Sequence, residues 1–288
     1  MLVCLFYCVS AAQAAPLHVS VVLSDDGGAY REFSDSLRNK LPAADFVLST
    51  QHFDDKLSVA DLYIAVGMKA ASELATRDIS TLNVLVSKDG YDQLLRMAAQ
   101  RKKPHSAVFL DQPLERQVAL LLAALPDTRN VGVLYSVAQP ELQNLRRLLT
   151  ARNILLHEQK VDDSQSLNDA LDSVLDASDV LSVLPDVDIY NAGTIRNILL
   201  TAYRKQVPLI GISQAYVKAG ALCAVFSTPE QIAEQAAKLI QQYTESGKLP
   251  PAQYPLDFEV SVNMQVARSL EIHIKNADQL REAIRRNP

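Results

Sequence analysis

Five histidines, His18, His52, His105, His157 and His273, are the first residues to test for chemistry. No two stand at i, i+4 or another ligand spacing, which argues against a zinc site. Gly211-Ile212-Ser213-Gln214-Ala215 falls at a strand-to-helix turn, where a nucleophile elbow would raise a serine. Its second small position is alanine rather than glycine, and among the histidines only His273 follows it. Ser213 is therefore read as a helix cap or a ligand contact. No GxGxxG and no Walker loop occurs. The first turn, Asp25-Asp26-Gly27-Gly28, opens with two acids where a phosphate loop would place glycine. It is either a plain turn or a ligand contact through Ser24 and Asp25. Gly67-Met68-Lys69-Ala70-Ala71 follows an apolar run and opens a helix. It reads as a plain turn or as a site where free N–H groups and the helix dipole take a carboxylate, with Lys69 or Lys88 adding charge. In Leu184-Pro185-Asp186-Val187-Asp188, two acids could hold an ammonium group, or Asp188 or Asn191 could cap the next helix. Tyr190 and Tyr216 could stack on a ligand or simply pack half-buried.

These turns lie between short apolar runs and amphipathic stretches in strict alternation. Strands are expected at 19–23, 46–49, 61–66, 82–86, 107–110, 131–135, 154–161, 180–184 and 209–212, with a late one at 254–260. Helices are expected at 29–40, 69–76, 91–100, 114–125, 141–152, 167–175, 192–205, 229–244, 264–269 and 277–285. Nearly continuous apolar strands joined by helices indicate parallel sheets covered on both faces, with right-handed crossovers. The pattern also repeats. Val19–Ser24 parallels Val131–Ser136, Asp61–Gly67 parallels Asp179–Pro185, and Leu82–Ser87 parallels Pro208–Ser213. The predicted class is α/β, with two similar doubly wound lobes. The trailing helix and strand suggest that the chain crosses back between them.

Composition agrees. A chain of 288 residues, 48% hydrophobic and 21% charged, suggests two globular domains. A net charge of −5 lacks the basic footprint that nucleic acid requires, so no nucleic-acid partner is expected. Leu2 to Val9 are apolar and Ala12-Gln13-Ala14 is an A-x-A cleavage signal, so residues 1–14 read as a signal peptide despite having no Lys or Arg before the apolar run. That run is too short to span a bilayer, and no transmembrane segment is expected in the mature chain. Cleavage would remove Cys4 and Cys8, leaving Cys223 in an apolar strand as a buried, inert thiol.

Longer stretches carry a family resemblance. Arg129-Asn130-Val131-Gly132-Val133-Leu134-Tyr135-Ser136 followed by Pro140 resembles the opening of the second lobe in the ABC-transporter substrate-binding proteins that include tryptophan- and tyrosine-type receptors. Val207–Ser213, Val217–Leu222, and Val260–Asn263 with Ala267 and Leu270 are similar to later signatures of that family. The resemblance covers roughly 17–276 and is strongest after Asp127. It implies a type I periplasmic-binding-protein fold with three crossovers, a small ligand between the lobes, notably an aromatic amino acid, delivery to a membrane permease, and no catalysis or cofactor. The chain departs from the family pattern at Met68-Lys69 and at Ala107–Asp111.

The expected lobes are 15–111 plus 228–247, and 112–227 plus 248–288. Ligands of open parallel sheets lie beyond the carboxyl ends of the strands. That points to Ser24, Asp25, Gly67, Met68, Lys69, Ser87 and Lys88 from one lobe, and to Ser136, Gln139, Pro185, Asp186, Asp188, Ser213, Gln214 and Tyr216 from the other. The first set would hold a carboxylate, and Asp186 or Asp188 an amine. The expected protein is a periplasmic solute-binding protein of an ABC-type uptake system whose ligand is an amino acid or related carboxylate. The alternatives are an envelope sensory or interaction protein and a serine hydrolase using Ser213.

Overall fold

Leu62–Val66 and Thr81–Val86 are buried at every position, as strands must be when helices cover both faces of a sheet. The computed structural model describes residues 15–97, 102–138, 140–162 and 166–286. The expected signal segment, Gln139 and the last residues of the helix expected at 91–100 lie outside these. The first part of the chain contains β1 (Leu17–Leu23), α1 (Gly28–Lys40), β2 (Phe46–His52), β3 (Leu62–Val66), α2 (Met68–Ala75), β4 (Thr81–Val86), α3 (Lys88–Met97) and β5 (His105–Phe109). There follow α4 (Leu114–Ala124), β6 (Asn130–Tyr135), α5 (Pro140–Thr150), β7 (Leu155–Lys160), α6 (Leu167–Asp176), β8 (Val180–Ser182), α7 (Ile195–Arg204), β9 (Leu209–Gly211), α8 (Gln214–Ala219) and β10 (Cys223–Phe226). The chain ends with α9 (Pro229–Ser246), β11 (Glu259–Val262), α10 (Met264–Ser269) and α11 (Ala277–Arg286).

The first sheet runs β2-β1-β3-β4-β5, all parallel. Read from its other edge, the second sheet runs β7-β6-β8-β9-β10, also parallel, with β11 added antiparallel. The strand order is therefore the same in both lobes. The repeat seen in sequence maps β1 onto β6, β3 onto β8 and β4 onto β9. Each sheet has apolar clusters against it: Val21, Phe33, Ile64 and Ile232 in one and Val22, Ala65, Leu74 and Phe109 in another for the first sheet, with Val131, Leu145 and Val225, and Leu134, Leu171 and Ile198, for the second.

α9 follows β10 of the second sheet, yet it buries Ile232, Ala233, Ala236 and Ile240 against α1 and the first sheet. Its start is set by a capping box: Thr228 Oγ1 accepts from Gln231 N–H, and Gln231 Oε1 accepts from Thr228 N–H. Gly247, left-handed at φ 66°, ends it.

Two expectations need correction. Residues 249–254 pack on the first lobe, not the second: Leu249, Ala252 and Tyr254 join its cores. Here β5 is an edge strand with free backbone groups, and Gln253 takes them. Gln253 N–H donates to Ala107 O at 2.9 Å, and Phe109 N–H donates to Gln253 O at 3.0 Å. The late strand also begins at Glu259 instead of 254. Residues 254–258 are the crossing itself, and side chains satisfy their backbone in place of a ladder. Gln235 holds Tyr254 O and Leu256 N–H, Arg116 holds Pro255 O, and Ser227 holds Asp257 O.

The chain passes between the lobes after β5, after β10 and before β11. One hydrogen-bonded chain ties these passages together. Gln112 Nε2 donates to Ser227 Oγ at 2.9 Å, and Ser227 Oγ donates to Asp257 O at 2.6 Å. Arg116 lies 4.4 Å over the Phe258 ring and donates to Gln112 Oε1 and Pro255 O. Satisfied polar groups at a crossing let it bend without exposing unpaired backbone.

Candidate functional site

Both sheets direct their carboxyl ends toward a cleft of about 620 Å³ between the lobes. Met68, Ser87, Lys88 and Asp89 line it from the first lobe, and Ser136, Glu141, Pro185, Asp186 and Asp188 from the second. Asp111, Gln112 and Tyr254 come from the passages between them. Of the residues expected at the site, this brings together Met68, Ser87, Lys88, Ser136, Pro185, Asp186 and Asp188. It does not bring Ser24, Asp25, Gly67, Lys69, Ser213, Gln214 or Tyr216 to the cleft wall.

The reason is that most of the turn chemistry is used by the protein itself. Ser24, at the end of β1, is buried, and its Oγ accepts from Ala70 N–H at 2.9 Å. It thereby caps the helix start expected to receive a carboxylate. Asp25 is exposed and accepts from Gly27 N–H within its own turn. Gly67 supplies the left-handed residue (φ 86°) that opens α2. Lys69 is exposed, with its ammonium 5.8 Å from the Phe53 ring centre on a shallow outer face. Ser87 Oγ caps α3 by accepting from Gly90 N–H at 3.1 Å, which starts that helix at Lys88, earlier than the expected position 91.

In the second lobe, Ser136 at the end of β6 donates to Asp186 Oδ2 through both N–H and Oγ, each at 2.8 Å. Asp186 Oδ1 accepts from Asp188 N–H at 3.1 Å. Asp186 thus clamps two loops and has far less capacity for a ligand ammonium than its position suggested. Asp186→Ala would leave these donors without an acceptor. We expect it to lower the unfolding free energy by about 2 kcal/mol in urea titration; an unchanged midpoint would show that water replaces the clamp at no cost. Asn191 does not cap α7; Thr194 stands at that position, and Asn191 Oδ1 closes a turn onto Gly193 N–H. Ser213 occupies the N-cap position of α8 without a side-chain capping bond. Tyr190 is buried in the second-lobe core, and Tyr216 packs against that core, so neither offers a stacking face in the cleft.

The cleft's electrostatics centre on Lys88, which the strand-end rule named, and on acids that it passed over: Asp89, Asp92, Asp111 and Glu141. Lys88 Nζ bonds Asp92 Oδ2 at 2.8 Å and reaches Glu141 Oε1, on the opposite lobe, at 3.4 Å. The Asp92 bond, with the nearby Glu141 carboxylate, holds the lysine well above its ordinary range. Asp111 accepts from Lys88 N–H. Burial nevertheless pushes its carboxyl up to about 6, and Asp89 and Glu141 add to the rise. Asp89 is raised as well, by burial first and Glu141 second. Tyr254 leans edge-on against Phe109 at 5.2 Å between ring centres, and burial pushes its hydroxyl up to about 12. Asp89 and Glu141 are the acids in the first turns of α3 and α5. Acids in a first turn suit the helix dipole, and no local pattern marks these two as facing each other.

Two parallel sheets of the same strand order, three passages between them and a cleft at the strand ends define the type I periplasmic-binding-protein fold. A sequence profile described as "ABC transporter substrate binding protein" matches residues 99–283. The chain belongs to the ABC transporter substrate-binding family, a family of binding proteins rather than catalysts. No curated protein matches it in sequence. Solved structures are similar in fold. A conserved domain protein from Vibrio cholerae is 19% identical, with TM-score 0.63, over 94% of this chain and 98% of that one. An ABC domain in complex with L-Trp from Streptococcus pneumonia is 15% identical, with TM-score 0.64, over 93% and 98%. CD0873, a substrate binding protein with adhesive properties from Clostridium difficile, is 15% identical, with TM-score 0.70, over 90% and 96%. Among the described residues, no helix is long and apolar enough to cross a membrane.

Proposed function

We propose that this chain is the extracytoplasmic solute receptor of an ABC-type uptake system. It takes a small molecule into the interlobe cleft, closes by bending at the three passages, and presents the closed form to a membrane permease. The observation that carries this reading is a cleft of about 620 Å³ with walls from both lobes and a floor from the passages. That volume lies within the usual range for small-molecule sites, ~300–1,000 Å³. The apolar run and A-x-A signal at 1–14 support export to the periplasm. The L-Trp complex of a protein with the same fold makes amino acids one class to test.

A ligand that binds only the folded protein stabilises it by RT ln(1 + [L]/Kd), or about 2.7 kcal/mol at roughly 100-fold excess over Kd. A thermal-shift screen of amino acids, amines, sugars, nucleosides and small carboxylates should therefore give a clear rise in Tm with one chemical class. Flat melting curves across all five classes would count against a solute receptor.

A further inference from the structure

The charges lining the cleft are unbalanced, and several of the groups suited to an anion are already engaged. Four backbone donors in its lining have protein acceptors: Gly90 on Ser87, Lys88 on Asp111, and Ser136 and Asp188 on Asp186. The Lys88 ammonium is held by Asp92 and Glu141. The other cation among the described residues of the lining is Arg96, exposed on α3. Against these two stand six carboxylates, Asp89, Asp92, Asp111, Glu141, Asp186 and Asp188.

One acceptor is conspicuous. Glu141 Oε2 is buried with no hydrogen-bond partner among the described residues. A buried ionised oxygen without a donor is costly, and a bound cation would relieve it. Glu141 already receives an ammonium from across the cleft through its other oxygen. Tyr254 adds an aromatic surface beside the same carboxylates, and such a ring attracts organic cations. A metal ion fits less well, because among the described residues no group of three or more His, Cys, Asp or Glu is placed to hold one.

We infer that the cleft selects a small organic cation without a carboxylate, its ammonium received by Glu141 from one lobe and Asp89 from the other, beside Tyr254. The inference rests on the solute-receptor reading and narrows its ligand class away from free amino acids and carboxylates. Because the two acids come from opposite lobes, the bound cation itself draws them together and favours closure.

Isothermal titration of the full chain with 1,4-diaminobutane, succinate and L-tryptophan tests it. The diamine should bind, more weakly at high salt. Glu141→Gln should weaken binding at least about tenfold while the ligand-free melting temperature stays near that of the parent. Asp89→Asn, on the other lobe, should do the same and serves as the readout if the first variant folds poorly. Binding of succinate or L-tryptophan without the diamine would overturn the cation class and leave the solute receptor standing. In a parallel titration with calcium chloride, calcium binding in place of the diamine would overturn it too, as would undiminished diamine affinity in both variants. Heat from none of the three compounds would also reject it, and only a blank in the wider thermal-shift screen would reject the receptor as well.

Discussion

Asp111→Asn should make the ligand-free protein more stable at neutral pH, by up to about 3 kcal/mol. The Asp111 carboxyl is pushed up to about 6 by burial and by its acidic neighbours, from an ordinary value of 3.8. The folded protein therefore binds this proton more tightly than the unfolded chain does. Stability contributed by the protonated acid is complete below the unfolded value. It is lost as pH rises between about 4 and 6 and stays lost above that. Asparagine can accept the Lys88 N–H as the carboxylate does, and it carries no charge to desolvate. Urea unfolding from pH 4 to pH 8 should show the parent falling through that window relative to the variant. Parallel profiles would mean that the Asp111 carboxylate is at ease in the cleft. If the ligand is cationic, the stabilised variant should also bind it less tightly. A charge kept at such a cost is characteristic of binding sites.

Gly67→Ala should act in the opposite direction, costing about 3 kcal/mol. The residue has φ 86°, and an added Cβ would stand 2.8 Å from both Ser24 Oγ and Tyr30 Cε1 and 3.0 Å from Ser24 Cβ. A left-handed conformation costs a non-glycine residue roughly 1–2 kcal/mol, and overpacking a filled interior adds roughly 1–3. Relief of the clash by moving Ser24 would break its bond to Ala70 N–H, uncapping α2. Gly28→Ala is the control. It sits at the start of α1 with nothing within 4 Å of the added carbon, and should be neutral or slightly stabilising. Equal denaturation midpoints for the two variants would show that β3 does not need its left-handed exit.

Much of the fold was legible from local pattern. Apolar runs such as 62–66 and 131–135, each followed by an amphipathic stretch, marked parallel strands and their covering helices because burial on both faces leaves an unbroken apolar signature. The matching strand ends at Ser24 and Ser136, and at Gly67 and Pro185, revealed the duplication before any strand order was known. Local pattern misled where a segment's backbone is satisfied from a distance. The stretch 254–258 looked like a strand, but its carbonyls are taken by Gln235, Arg116 and Ser227.

The sequence alone determined the α/β class and the two-lobe repeat, because these follow from periodicity and turn chemistry within a few tens of residues. Tertiary structure decided which polar groups remain for a ligand. Ser24 and Asp186 stood at the right positions, yet their hydrogen bonds go to Ala70, and to Ser136 and Asp188. Lys88 and Glu141, 53 residues apart by their numbering, meet only because the passages bring α3 and α5 face to face. A hydrogen bond or ion pair is fixed by distances of about 3 Å. No linear pattern encodes such a distance between elements on different sheets, so the charge of the cleft emerges only when the lobes are packed.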